Sequence, residues 1–288
     1  MSDKTTVLIT GATGNIGPHI AAQLIEAGVT VRALVLPGDQ KAARLSGEVE
    51  VFTGDLADPE SLEPALDGVD AVMLMWPFFT LDVTTAPEVL RRIAKHARRV
   101  VFVSSIGVEI GLEPKDNNCH AYLEALIEET DLAWTFLRTT GFAVNAVLSW
   151  RAQILGDGVV RAPYGQAARS PIHEADIAAV AVRALTEDGH AGARYVVTGP
   201  EALTQVEQLR ILGEALGLDL RWEDVPAAVA LGHMVAAGWP APYAEGAMDY
   251  FAMLVRQPEM ITDHVEQVTG KPPRTFREWA AERAEVFR

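Results

Sequence analysis

Gly11, Gly14 and Gly17 recur at three-residue intervals in ITGATGNIG (9–17), between an apolar run and an amphipathic one. Glycines so spaced let a backbone turn tightly and lie against a pyrophosphate, while the following helix offers free amides and a positive dipole end. Thr13 and Asn15 add side-chain hydrogen bonds for phosphate or ribose, and Ile16 leads into the helix. A second stretch, CHAYLEALIEE (119–129), raises the question of proton transfer. Tyr122 is a phenol that needs a nearby cation to lower its pKa before it donates readily near pH 7. One helical turn on stands Leu126, so that cation is missing.

The elements that must position these residues alternate through the first half. Strand-like runs at 5–10, 29–35, 49–55, 69–75, 98–105 and 132–138 are separated by helix-like stretches. Those helices are expected from about Asn15 to Ala27, through Lys41 and Leu45, after an N-cap at Asp58 with Pro59 at the first helical position, and around Glu88–Ala97. Short, nearly all-apolar strands between helices describe a parallel sheet buried on both faces. The fold class predicted is α/β, a doubly wound Rossmann sheet with a smaller, mainly helical C-terminal lobe. Residues 1–140, completed by about 171–199, form the dinucleotide-binding part; about 141–170 and 200–288 form the substrate lobe.

Composition narrows the partners. The 288 residues carry 24 Lys and Arg against 39 Asp and Glu, a net charge of −15 that repels nucleic acid and anionic membranes. No apolar run approaches the roughly 18 residues of a membrane span. The early strand leaves no room for a signal peptide, and a cytoplasmic monomer or homodimer acting on a small molecule is expected. One cysteine excludes an internal disulfide, and no His, Asp and Glu spacing suggests a metal site.

TGATGNIG, GDLADPESL, VVFVSS, LAWTFLRTTGF and VTGKPPRTFREW together resemble the NmrA-like branch of the atypical short-chain dehydrogenase/reductase superfamily, over nearly the whole chain. The resemblance implies an NAD(P)H-dependent reductase of carbonyls, enones, quinones or iminium compounds. It sets Ser104 and Ser105 at the reaction centre and Tyr122 where the superfamily's Tyr-x-x-x-Lys tyrosine stands. Isoflavone-reductase-like relatives carry K-x-x-x-E here, which falls on His120 and Glu124. His120 then becomes the proton donor or relay, an imidazole working near neutral pH, with Glu124 orienting it or raising its pKa. Asp55 and Leu56 would hold the adenine, Trp76 and Pro77 would pass over ribose and pyrophosphate, and Gly141 and Phe142 would lie beneath the nicotinamide. Trp76, Phe78, Phe79, Asn145 and Tyr164 would face the substrate, with Trp239, Tyr243, Tyr250 and Met253 as further wall.

Cofactor choice turns on the end of the second strand, where an acidic residue selects NAD and basic residues favour NADP. VRALVLPGDQKAAR places Leu36 where NADP-using relatives have arginine, with Arg32 and Lys41 nearby and Asp39 opposing them. The reading is NADP, with NAD possible. Two rivals stay open: a dinucleotide-binding sensor or scaffold without turnover, and a non-redox cyclase or dehydratase that keeps the cofactor as structure.

Overall fold

The computed structural model describes residues 4–77, 82–112 and 119–287. Seven strands form one sheet in the order β3-β2-β1-β4-β5-β6-β9. They are β1 Thr6–Ile9, β2 Thr30–Val35, β3 Val49–Thr53, β4 Ala71–Leu74, β5 Arg99–Ser105, β6 Ala133–Thr139 and β9 Ala193–Val197. β1 pairs parallel with β2 on one side and with β4 on the other, Val7 opposite both Val31 and Ala71. The chain therefore winds outward in two directions from β1. The crevice at the C-terminal ends of β1 and β4 is the place where such a sheet receives a ligand. All four β4 residues are buried, as a strand covered on both faces requires.

The chain divides into two compact units. The first comprises Met1–Ile110, Asn118–Arg138 and Ile177–Tyr195. Its core gathers Leu8, Val72, Leu74, Phe102 and Phe136 from the strands. Helix α2 (Ala86–His96) contributes Val89, Leu90 and Ile93, and α3 (His120–Glu128) contributes Leu123 and Ile127. The i, i+3, i+4 spacing of these apolar residues gives each helix one stripe to bury. Thr10 ties the ends of β1 and β4 together: its hydroxyl donates to the Met75 carbonyl at 2.9 Å and accepts from the Met75 amide at 2.7 Å.

The second unit comprises Gly111–Asn117, Thr139–Asp176 and Val196–Arg288. Helices α4 (Asn145–Gly156), α6 (Gln205–Leu216) and α7 (Phe276–Glu282) enclose Trp150, Ile154, Leu212, Phe276 and the fully buried Trp279. Both α6 and α7 begin with a capping box, Thr204 with Glu207 and Thr275 with Glu278. The α6 helix ends at Gly217 in the left-handed conformation that glycine adopts most cheaply. Glu174 opens α5 (Glu174–Thr186) and is buried; one carboxylate oxygen accepts the Val144 amide at 2.8 Å, the other the Trp279 indole at 3.0 Å. Those two bonds fix where the chain enters α4.

Some expected elements differ. The first helix, α1, runs Gly17–Glu26 and starts two residues later than Asn15, with Ile16 as its N-cap. The segment through Lys41 is a short 3₁₀ turn, Gln40–Arg44, which buries nothing. Asp58 does cap a turn with Pro59 at its start, but a 3₁₀ turn, and its side chain makes no capping bond. A strand β11 (Arg221–Asp224) pairs parallel with β7 (Val159–Ala162), where a helical reading of the tail had been expected. Its residues RWED carry no apolar run, so only a distant partner defines it. Among the described residues no helix is long and apolar enough to cross a membrane.

Candidate active site

The glycine turn has the geometry its spacing implies. Gly11 sits at φ +65°, and a Cβ there would stand 3.3 Å from the Met75 side chain at the end of β4. A Cβ on Gly17 would come within 2.5 Å of the Ala12 Cα and of the Ala12 and Gly11 carbonyl oxygens, so α1 approaches the turn as only glycine permits. Gly17 and Ile16 are buried, whereas Gly11, Gly14 and Asn15 are exposed on the outer side of the turn. This is a cradle that a dinucleotide pyrophosphate fits.

At the end of β2 the charges are arranged differently from the expectation. The Thr13 hydroxyl donates to Asp39 Oδ2 at 2.6 Å, and the Lys41 amide donates to Oδ1 at 2.9 Å. The Thr13 bond first, then the Lys41 amide, holds the Asp39 carboxyl below its usual range, so a negative charge stands beside the glycine turn. Arg32 is committed elsewhere: it pairs with Glu50 at 3.0 Å, donates to the carbonyls of Ala65 and Asp67, and lies over the Phe52 ring. Leu36 is exposed, and Lys41 and Arg44 are the exposed cations of this loop. Asp55 spends one oxygen on the Ala57 amide at 2.9 Å within its own turn, and Leu56 is buried beside it. Trp76 belongs to the hydrophobic core, its indole donating to the Asp82 carbonyl at 2.8 Å, and so is not an open aromatic wall. Pro77 is exposed at the same edge; Phe78 and Phe79 lie outside the described residues.

At the end of β5 the two serines separate. Ser104 is buried and its hydroxyl donates to Glu124 Oε1 at 2.5 Å. A hydroxyl has one proton, so in this arrangement Ser104 has none to offer a substrate oxygen. Glu124 is buried as well, and Arg138 grips both its oxygens, Nε to Oε1 at 3.1 Å and Nη2 to Oε2 at 2.5 Å. Arg138 Nη1 continues to Glu109 at 2.6 Å. Glu124 is thus held by Ser104 and Arg138, and the carboxylate expected to orient His120 serves as the hub of a buried network. Ser105 is half-buried and accepts the Gly107 amide at 3.1 Å, which leaves its own proton available for donation.

His120 opens α3 with its ring centroid 6.0 Å from that of the buried Phe102. Tyr122 is 46 % exposed on the same helix, and Leu126 packs against the core, so a lysine one turn after the tyrosine has no place here. Cys119 is buried, and that burial raises its thiol pKa, which marks it as inert.

The second unit carries its own cavity, of about 50 Å³, with Gly141, Phe142, Asn145, Trp150 and Phe251 among its lining. Gly141 does not present an open face: a Cβ on it would lie 2.2 Å from Arg169 Nη2, so a guanidinium fills the space. Tyr164 does not line this cavity; it sits at φ +60°, and its carbonyl accepts from the Gln205 amide at 2.9 Å. Tyr243 stacks on Trp239 at 5.0 Å, and Tyr250 packs beneath Arg169. Arg138 and Arg169 escaped the sequence reading, because an arginine ending one strand and another in a two-residue strand have no local signature.

Two outcomes follow. Glu124→Ala leaves Arg138 and Ser104 without their buried acceptor and should lower unfolding free energy by about 3 kcal/mol, with Glu124→Gln losing less, as read from urea melts. Asp39→Ala removes the charge beside the glycine turn and should raise the NADPH-to-NADH affinity ratio roughly three- to tenfold, measured by calorimetry.

Comparison with known proteins agrees with this geometry. A family model described as NAD(P)H-binding matches residues 11–188. A (4-alkanoyl-5-oxo-2,5-dihydrofuran-3-yl)methyl phosphate reductase of Streptomyces griseus is 37% identical, covering 98% of this chain and 99% of its own. An NAD(P)H azoreductase of Xenophilus azovorans is 34% identical, with coverage of 98% and 99%. Among solved structures, the triphenylmethane reductase of Citrobacter sp. complexed with NADP(H) superposes with a TM-score of 0.79 at 23% identity, covering 96% of this chain and 99% of the other. The chain belongs to the NAD(P)H-binding family, within the NmrA-like, atypical short-chain dehydrogenase/reductase superfamily.

Proposed function

We propose that this protein is an NAD(P)H-dependent reductase whose acceptor is a small conjugated electrophile, such as an enone, a quinone or an iminium compound. The observation that carries this reading is the disposition of the proton donors. Tyr122 is exposed with Leu126 one turn on, and the Ser104 proton goes to Glu124. A simple ketone needs its oxygen protonated as hydride arrives. A conjugated acceptor spreads the incoming charge over several atoms and asks less of the protein.

The cofactor, when bound, supplies hydride to the acceptor carbon. In an enone or quinone the π electrons then move onto the conjugated oxygen, where the Ser105 hydroxyl steadies the charge, and His120, or water, delivers the proton that completes the reduction. An iminium nitrogen is neutralised by the hydride itself and needs no proton. Gly11, Thr13, Gly14, Asn15, Ile16 and Gly17 hold the pyrophosphate end, with Asp55 and Leu56 at the adenine. Lys41 supplies the cation near a 2′-phosphate and supports NADP, against the neighbouring charge of Asp39. On the second unit, Phe142, Trp150 and Phe251 supply an apolar surface suited to a conjugated ring. The dihydrofuranone of the Streptomyces relative and the azo group of the Xenophilus relative are both conjugated acceptors, which supports this substrate class.

His120→Ala should lower kcat for a quinone or enone by about 10²-fold, the low end for a lost general acid, with the dissociation constant for NADPH essentially unchanged by calorimetry. An unaltered kcat removes His120 from the mechanism. Binding of NADPH with no oxidation by any enone, quinone or iminium acceptor would replace the reductase with a dinucleotide sensor.

A further inference from the structure

Arg169 is the last residue of β8 (Ala168–Arg169), paired antiparallel with β10 (Leu203–Thr204). Its side chain is only 20% exposed, and its buried Nε has no hydrogen-bond acceptor among the described residues. Nε is buried and 3.7 Å from Glu259 Oε1, an ion-pair distance too long for a hydrogen bond. Glu259 has its hydrogen bonds elsewhere: Oε2 accepts the Ser170 amide at 2.7 Å and the Ser170 hydroxyl at 3.0 Å, and Oε1 accepts the Tyr250 hydroxyl. The guanidinium carbon lies 5.7 Å from the Tyr250 ring centroid and 5.3 Å from that of Phe251, so aromatic faces hold the group in place.

A guanidinium carries five N–H donors in a rigid fork, and leaving the buried Nε–H without an acceptor is costly. The missing partner is one with two acceptor oxygens in a plane, which describes a carboxylate or a phosphate. The surroundings agree. Arg169 lines the cavity together with Asn145 and Ser149, which stand one turn apart on α4 and bring an amide and a hydroxyl donor. Gln205 spends its NH₂ group on the Pro163 and Tyr164 carbonyls and Gln208 on that of Leu203, so both offer oxygens suited to a neutral hydroxyl or N–H nearby. Gly141 leaves room for the guanidinium to stand at the cavity wall.

We infer that Arg169, with Asn145 and Ser149, forms a subsite for an anionic group, a phosphate or carboxylate carried by the substrate. Taken with the reductase function proposed above, on which this substrate assignment rests, the acceptor is a small conjugated compound with an anionic arm. The Arg169 fork binds that arm and fixes the orientation of the reducible bond. The subsite itself stands on the second unit alone.

Calorimetry on the protein saturated with NADP⁺ tests the subsite without turnover, because the glycine turn is then filled. Phenyl phosphate and benzoate are the anionic probes, and benzyl alcohol is the neutral one. At least one anionic probe should bind while benzyl alcohol does not, and Arg169→Gln should weaken that binding at least tenfold. The double variant Asn145→Leu, Ser149→Ala, which leaves the Arg169–Glu259 pair intact, should weaken it as well and covers the case in which Arg169→Gln fails to fold. Absence of anion binding, equal binding in the variants, or displacement of the anion by cofactor would overturn the subsite. Turnover gives the second arm, with a matched pair of enones ending in a phosphate ester or in the free alcohol. The phosphate ester should show the lower KM, by at least tenfold, and Arg169→Gln should abolish the difference. A matched carboxylate-bearing enone distinguishes the two anions. Equal KM values in the unaltered protein contradict the substrate assignment and leave the reductase standing. Failure to reduce any of the three removes the reductase reading, and calorimetry then decides the subsite alone.

Discussion

The approach of α1 to the glycine turn is the constraint on which the rest depends. Gly17 lies so close to the backbone of Ala12 and Gly11 that any side chain would collide with it. That contact sets the helix N-terminus against the end of β1, at the point where the sheet winds outward in both directions. Thr10 and Met75 then tie the end of β4 to the same place. A nucleotide site on this sheet is therefore a consequence of strand order and one tolerated close contact, and the side chains around it adjust which nucleotide is held.

The reaction centre is governed by a different economy of protons and charge. Ser104, Glu124, Arg138 and Glu109 form a continuous chain, buried at Ser104 and Glu124 and reaching the surface at Glu109, in which each carboxylate has a cationic partner. Such a network rigidifies the junction of β5, α3 and β6 because breaking a link at Glu124 strands a buried polar group. Its consequence for chemistry is subtraction. The serine and glutamate of this network are occupied with each other, and in the proposed mechanism Ser105 and His120 are the groups left to assist an acceptor that needs little assistance.

Legibility in the sequence followed the range of the interactions involved. Alternating apolar runs revealed the parallel sheet, and glycine spacing revealed the turn, because both are local patterns with one physical solution. The role of Glu124 was not legible: its spacing from His120 suggested one partner, while Arg138, fourteen residues on and on another element, became the real one. Trp76 was ambiguous for a related reason, since an apolar aromatic at a strand end fits a core as well as a ligand wall, and only the Asp82 carbonyl distinguishes them. Arg169 left no trace at all, because its neighbours Gly141, Tyr250 and Glu259 are far apart in the chain. Similarly, Asp39 read as a charge opposed to NADP, but its bond to Thr13 across the turn emerges only in three dimensions.

Hydride delivery from the nicotinamide to a conjugated acceptor is the central claim, and isotope transfer tests it most directly. The protein would be given NADPH carrying deuterium on either face of the nicotinamide C4, with a conjugated enone as acceptor, and the product analysed by mass spectrometry and NMR. The account predicts one deuterium on the β-carbon of the product from one face only, none from the other, and slower turnover with the transferred label. Bound but unoxidised cofactor, or a product formed without deuterium from either face, would contradict it.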